Sequence, residues 1–156
     1  MRLHYLLRVV LVSLEAATLA VALLLWTYFR PELTAAAGAI SSSNDVLKFV
    51  LLLPLVLVAW VATEVRQLLH EDKDTTRLLA NWPDYWRLKS HVSVALSYSF
   101  VFAGLSIVPW LLASGITGAL GFLLFVTSLV GQLVVVVSVY AARLKVKEVV
   151  ALASAA

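Results

Sequence analysis

The chain has 156 residues, of which 62% are hydrophobic and 13% charged, and its mean hydropathy is +0.96. Ordinary soluble domains are about half apolar and roughly a quarter charged, so this composition excludes a water-soluble core and indicates one membrane domain. The formal net charge is only +3, and the lack of cysteine excludes disulfides, iron–sulfur ligation and thiol chemistry.

Four apolar segments follow one another along the chain, at about residues 9–29, 46–63, 92–113 and 116–142. Each supplies the ~20 apolar residues that a helix needs to cross the hydrocarbon layer. No alternating pattern indicates the strands of a barrel, the only other structure that satisfies its backbone in lipid. We therefore predict an all-α fold, a single domain over residues 1–156 that forms a four-helix transmembrane bundle.

The predicted connections differ in kind. Residues 30–45 are expected to form an external loop, with Pro31 ending the first helix. Ser42 and Asp45 have the spacing of a capping box that opens the second helix. The short 113–118 connection predicts an antiparallel hairpin of the third and fourth helices.

The basic residues predict the orientation. Ten of the twelve lie in the N-terminal segment, the connection at about residues 64–91 and the C-terminal tail: Arg2, Arg8, Arg66, Lys73, Arg77, Arg87, Lys89, Arg143, Lys145 and Lys147. Only Arg30 and Lys48 lie on the other side. The positive-inside rule places both termini and the 64–91 connection in the cytoplasm of a bacterial-type inner membrane.

Glu15 is the only acid deep inside a predicted span, about 9 Å beyond Val9 at 1.5 Å per residue. A lone carboxylate in hydrocarbon is costly unless it is neutral, paired or faces a polar interior. It is interpreted either as a proton or cation site near Arg8, or as a structural group bonded to Gln132 or a serine. Small multidrug transporters similarly carry a glutamate in the first of four helices, but they are shorter and lack this charged middle connection.

The segment 81–89 is the most distinctive stretch, because Trp82, Tyr85, Trp86 and Lys89 fall on one helical face beside Arg87. Asn81 as N-cap and Pro83 in the first turn predict that the third helix begins near Trp82. The aromatic face suits anchoring in the headgroup layer or docking of a partner protein.

Small residues mark predicted helix contacts. The fourth helix carries Gly121, Ser128, Gly131, Ser138 and Ala142 on one stripe, and the third carries Ser90, Ser93, Ser97 and Gly104. Small side chains let helices approach closely in lipid, so both stripes are expected to form the internal seam, or else a contact between copies. Gln132 beside this seam is expected to hold helices together through hydrogen bonds.

The motifs of catalysis are missing from the sequence. His70, Glu71, Asp72 and Asp74 follow the second helix, which is expected to continue to Leu69, but no second histidine has metal-ligand spacing. Nucleotide-binding and hydrolase motifs are also missing. We expect no catalytic residue, cofactor, metal or nucleic-acid partner.

Two hypotheses about function follow. The first is a non-enzymatic membrane protein that binds another membrane protein, as an accessory subunit or an immunity-type protein. In plan alone, with four spans and cytoplasmic ends, the chain resembles one class of colicin immunity proteins. The second is a small homo-oligomeric transporter or channel that uses Glu15 as its proton- or cation-coupling group.

Overall fold

The computed structural model describes residues 9–39, 45–69, 82, 84–112 and 115–154. This part of the chain is 93% helical and contains no strand. Its α-helices are α1 (Leu14–Tyr28), α2 (Arg30–Gly38), α3 (Asp45–Leu69), α4 (Tyr85–Leu111) and α5 (Ala119–Ser154), with a 3₁₀ turn at Gly115–Thr117 between the last two. The all-α prediction is confirmed.

The first apolar segment is interrupted, where the sequence predicted one continuous span from Val9. Residues 9–11 are helical, but Ser13 has the extended dihedrals φ −83° and ψ 157° and caps α1. Its Oγ accepts a hydrogen bond from the Ala16 N–H at 3.1 Å. A serine in this position satisfies a backbone donor that a new helix leaves open. The break frees the Val10 carbonyl, which accepts a hydrogen bond from the Tyr98 hydroxyl of α4 at 2.8 Å.

The predicted external loop at 30–45 is wrong in its first half, because residues 30–38 form α2. Phe29, at φ −122° and ψ 29°, separates α1 from α2. Pro31 lies in the first turn of α2, where a missing N–H costs nothing and the fixed φ favours a helix. Ala37 is fully buried, and α2 packs on α5 and the 3₁₀ turn. Of the predicted capping box, Ser42 lies outside the described residues.

The helices α4 and α5 differ from prediction at their ends. α4 begins at Tyr85 after Asp84, three residues later than predicted. Trp82 lies before the helix, and its carbonyl accepts from the Tyr85 N–H at 3.1 Å. Asn81 and Pro83 lie outside the described part of the chain. α5 continues to Ser154, well beyond the predicted end at residue 142. α3 ends at Leu69, as expected.

The turn between α4 and α5 depends on two glycines. Gly115 has φ +54°, a left-handed conformation that glycine adopts without steric cost. A Cβ at Gly121 would overlap the carbonyl oxygen of Gly115, so the first turn of α5 lies directly against the connection. The two helices consequently return on each other as an antiparallel hairpin.

The core lies between α3, α4 and α5. Its buried residues are Val61, Val65 and Leu68 of α3, Val92, Ala95 and Phe102 of α4, and Val135, Val139, Ala142 and Val146 of α5. α1 and α2 pack mainly against α5, so this longest helix is the common support of the fold.

Two described helices, Tyr85–Leu111 and Ala119–Leu152, are long and apolar enough to cross a membrane, whereas apolar α1 is shorter. Core helices of soluble proteins meet the same criteria. These two helices are weak evidence of a membrane protein.

Candidate functional site

A glutamine and a serine join α4 to α5 at the centre of the hairpin. Gln132 is completely buried, its Oε1 accepts from Ser99 Oγ at 2.9 Å, and its Nε2 donates to the Ser99 carbonyl at 2.7 Å. Both ends of the amide therefore bind the same residue. In a low-dielectric interior such a paired contact fixes the register of two helices, because any shift would leave buried polar atoms without partners.

The predicted stripe on α5 lies at helix contacts. Gly131 lies under the ring of Phe102, which a Cβ at this position would overlap. The fully buried Ser128 donates from Oγ to the Phe102 carbonyl at 2.6 Å. With Gly121 at the hairpin turn, these positions let α4 and α5 approach closely.

The predicted internal stripe of α4 is wrong. Three of its four residues, Ser93, Ser97 and Gly104, are exposed, and Ser90 is half-buried. A Cβ at Gly104 would have no neighbour within 4 Å. The buried face of α4 is instead formed by Val92, Ala95, Ser99, Phe102, Ala103 and Ser106. This face buries the large Phe102 ring, so it removes more apolar area from solvent than the serine stripe would. It also provides Ser99 as the hydrogen-bond partner of Gln132.

Glu15 lies between α1 and α5. Its side chain is only 2% exposed, and its Oε1 accepts from Ser138 Oγ at 2.8 Å. The structure thus contains a bond to a serine of α5, one of the partners predicted from the sequence. Glu15 follows the Ser13 cap in the first turn of α1. Arg8, the other predicted neighbour, lies outside the described residues.

An ion pair that the sequence analysis missed joins α3 to α5. Arg143 Nη1 lies 2.8 Å from Glu64 Oε2, and the side chains are 37% and 13% exposed. Beside it is a cavity of about 10 Å³ lined by Glu64, Gln67, Leu68, Arg143, Val146 and Lys147. A signal was available, since Glu64 and Arg143 have opposite charges and each directly follows the end of a predicted span, on the same predicted side of the membrane.

The predicted aromatic face is divided by the fold. Trp82 and Tyr85 are half-buried and pack against the core. Trp86 is also half-buried, with the Arg87 guanidinium 5.6 Å from its ring centroid, and Lys89 is exposed. Arg87 pairs with Asp84 at 3.1 Å on the surface. Trp86, Arg87 and Lys89 therefore form the outer part of this face, and Trp82 and Tyr85 form its inner part against the core.

The buried polar groups bind one another. No buried side-chain nitrogen or oxygen among the described residues lacks a hydrogen-bond partner. In the same residues no three histidine or acidic side chains converge as metal ligands. The predicted charged turn at 70–74 lies outside the part that the structure describes. The arrangement is chemically suited to holding helices in one register.

Comparison of this chain with protein-family models, with curated proteins and with solved structures finds no match.

Proposed function

We propose that the chain is a non-enzymatic inner-membrane protein that crosses the bilayer four times and binds a partner membrane protein, as an accessory subunit or an immunity-type protein. The observation that carries this proposal is the mutual satisfaction of the interior polar groups. Gln132 with Ser99, and Glu15 with Ser138, each tie two helices together. A bundle whose helices are held in one register presents a surface of constant shape to a partner protein.

Exposed apolar side chains support the membrane location. α5 exposes Val126, Val130, Leu133 and Val137 along one face, and α4 exposes Phe100, Val101 and Ile107. Contiguous apolar faces of this kind are unfavourable in water and favourable against lipid chains. α3 adds a further 25-residue helix whose residues 49–63 carry no charge, which supports a third span.

The proposed topology has both termini in the cytoplasm. It rests on the ten-to-two division of basic residues and on four passes, with residues 9–28 together forming the first. α1 alone, at 1.5 Å per residue, would reach only about 22 Å, so the helical residues before Ser13 are needed to complete that pass.

The partner-binding surface is proposed at the cytoplasmic start of α4, around Trp86, Arg87 and Lys89. Tryptophan and arginine dominate the energetics of protein interfaces. Trp82 and Tyr85 pack against the core beneath them, so this surface rests on a fixed support.

A pull-down in mild detergent tests this proposal. The tagged native protein is expected to retain a stoichiometric partner, and Trp86→Ala with Lys89→Ala should release it while membrane insertion is unchanged. Trp110→Ala is the matched control, because Trp110 is 51% exposed at the opposite end of the same helix. Isolation of a homo-oligomer without any partner would contradict the docking proposal.

A second candidate function is favoured by the burial of Glu15. A carboxylate that is 2% exposed beside a helix break is typical of proton- or cation-coupling groups in membrane proteins. In proteoliposomes Glu15→Gln should then abolish flux driven by a pH gradient and leave the fold intact. Absence of any flux from the wild-type protein would remove this alternative.

A further inference from the structure

The cavity between the ends of α3 and α5 has the composition of an anion site. Arg143 and Lys147 lie one turn apart on the same face of α5 and both line it, opposite Glu64 and Gln67 of α3. Two cations and one carboxylate leave a net charge of +1. At about 10 Å³ the cavity admits one water-sized atom, such as a single phosphate oxygen, and the remainder of a ligand would lie at its mouth.

The side chains around the cavity can bind a phosphate. Glu64 is bonded to Nη1 of Arg143, and a guanidinium carries five N–H donors in all. No carboxylate among the described residues is within ion-pair distance of Lys147, whereas Lys145 is 2.9 Å from Glu148. Lysine and arginine are the usual phosphate-binding side chains, and the Gln67 amide adds further N–H donors.

The position of the cavity along the helices indicates the source of the phosphate that it binds. Trp60 and Tyr140 are 39% and 54% exposed, and each lies one turn before the ion pair on its own helix. Amphipathic rings of this kind prefer the headgroup layer of a bilayer. The cavity therefore lies at the level of lipid phosphates, with apolar helix surface on one side and charged residues on the other.

We propose that Arg143, Lys147 and Gln67 form a binding site for the phosphate of an anionic phospholipid headgroup, with one phosphate oxygen entering the cavity and Glu64 orienting Arg143. A zwitterionic headgroup carries its own cation close to Lys147 and is bound less well. The site rests on the membrane location proposed above and not on the binding of a partner protein.

Native mass spectrometry of the detergent-solubilised protein tests the site. Phosphatidylglycerol is expected to remain bound in preference to phosphatidylcholine. Lys147→Gln should lower the apparent affinity for phosphatidylglycerol about five-fold, the effect of removing one cation near lipid phosphates. Lys145→Gln is the matched control on the same helix and should retain wild-type binding.

Other outcomes overturn the proposal. Equal binding of the two lipids, or equal losses in the two lysine variants, would show that general surface charge attracts the lipid. If inorganic phosphate alone raises the Tm as much as phosphatidylglycerol does, and only when Lys147 is present, the site is one for a soluble anion. Recovery of the protein in buffer without detergent, measured before any lipid is added, would refute the membrane location itself.

Discussion

At the scale of single residues, the contact between Gly131 and Phe102 gives the sharpest test of the helix packing. A Cβ at Gly131 would overlap the Phe102 ring, and that ring is fully buried, so a shift of the ring would disturb the core around it. Gly131→Ala is expected to lower the free energy of unfolding by about 1–3 kcal/mol, the usual effect of overpacking. Denaturant titration in detergent micelles measures it.

Gly104→Ala is the control for this prediction, because the added Cβ meets no atom within 4 Å on the exposed face of α4. Its free energy of unfolding should rise by about 0.5–1 kcal/mol, because alanine has the higher helix propensity. Equal losses in the two variants would mean that α4 and α5 do not approach each other at Gly131.

The bonds between Gln132 and Ser99 predict a coupled pair. Gln132→Leu and Ser99→Ala should each lower the free energy of unfolding by about 1 kcal/mol, typical of hydrogen bonds between membrane helices. Both changes remove the bond from Ser99 Oγ to Gln132 Oε1, but only Gln132→Leu also removes the bond from Nε2 to the Ser99 carbonyl. The double variant should therefore lose less than the sum of the two single losses. Ser97→Ala, on the exposed face, should be additive with Gln132→Leu. Additivity of the Gln132 and Ser99 changes would show that the contact is absent.

At the scale of elements, the ion pair of Glu64 and Arg143 connects α3 to α5. Glu64 is 13% exposed, so its charge is only weakly screened. Glu64→Gln should lower the free energy of unfolding by about 1.5 kcal/mol, typical of a hydrogen bond to a charged group. Chemical denaturation in micelles provides the measurement.

Glu148→Gln is the comparison for the ion pair, because Glu148 binds Lys145 with both side chains more than half exposed. An exposed pair contributes at most about 0.5 kcal/mol on a helix. If Glu148→Gln were as destabilising as Glu64→Gln, the association of α3 with α5 would not depend on the pair of Glu64 and Arg143.

The sequence predicted the elements better than their ends. Apolar runs located α3, α4 and α5, since lipid-facing and core positions are both apolar and leave long uncharged stretches. The break at Ser13 was missed because serine is also common inside membrane helices. The Tyr98 bond to Val10, which accompanies the break, is a tertiary contact that the local sequence does not show. Pro31 was interpreted as the end of the first helix, but proline is also favoured in the first turn of a helix, and it lies in the first turn of α2.

The candidate site was predicted in part for a similar reason. A buried acid and a glutamine stand out in an apolar run, so Glu15 and Gln132 were identified from the sequence alone. The sequence did not identify their hydrogen-bond partners, because several serines have a spacing that helical periodicity allows. On α4 the periodicity of the small residues predicted the exposed face as the buried one. Which face is buried depends on the volume of Phe102 and on its fit to Gly131, and both are properties of the packed pair.

At the scale of the whole molecule, the proposed topology can be tested directly because the chain has no cysteine. A single introduced cysteine is then the only thiol that a membrane-impermeant maleimide can label. Gly38 and Leu152 suit this purpose, since both are exposed, and a Cβ at Gly38 meets no atom within 4 Å. α5 is about 54 Å long at 1.5 Å per residue, so its end at Leu152 projects beyond a hydrocarbon layer of ~30 Å.

The division of basic residues then determines the expected labelling. In intact spheroplasts Gly38→Cys should react, and Leu152→Cys and Lys73→Cys should react only after the membrane is permeabilised. Labelling of Leu152→Cys in intact cells with protection of Gly38→Cys would reverse the orientation. Labelling of both in intact spheroplasts would place both positions outside and require an even number of crossings between them, in conflict with the three spans proposed over residues 46–142. Four spans require Lys73 and Leu152 to lie on one side of the membrane and Gly38 on the other. Labelling at the three positions therefore distinguishes an inverted orientation from a wrong number of spans.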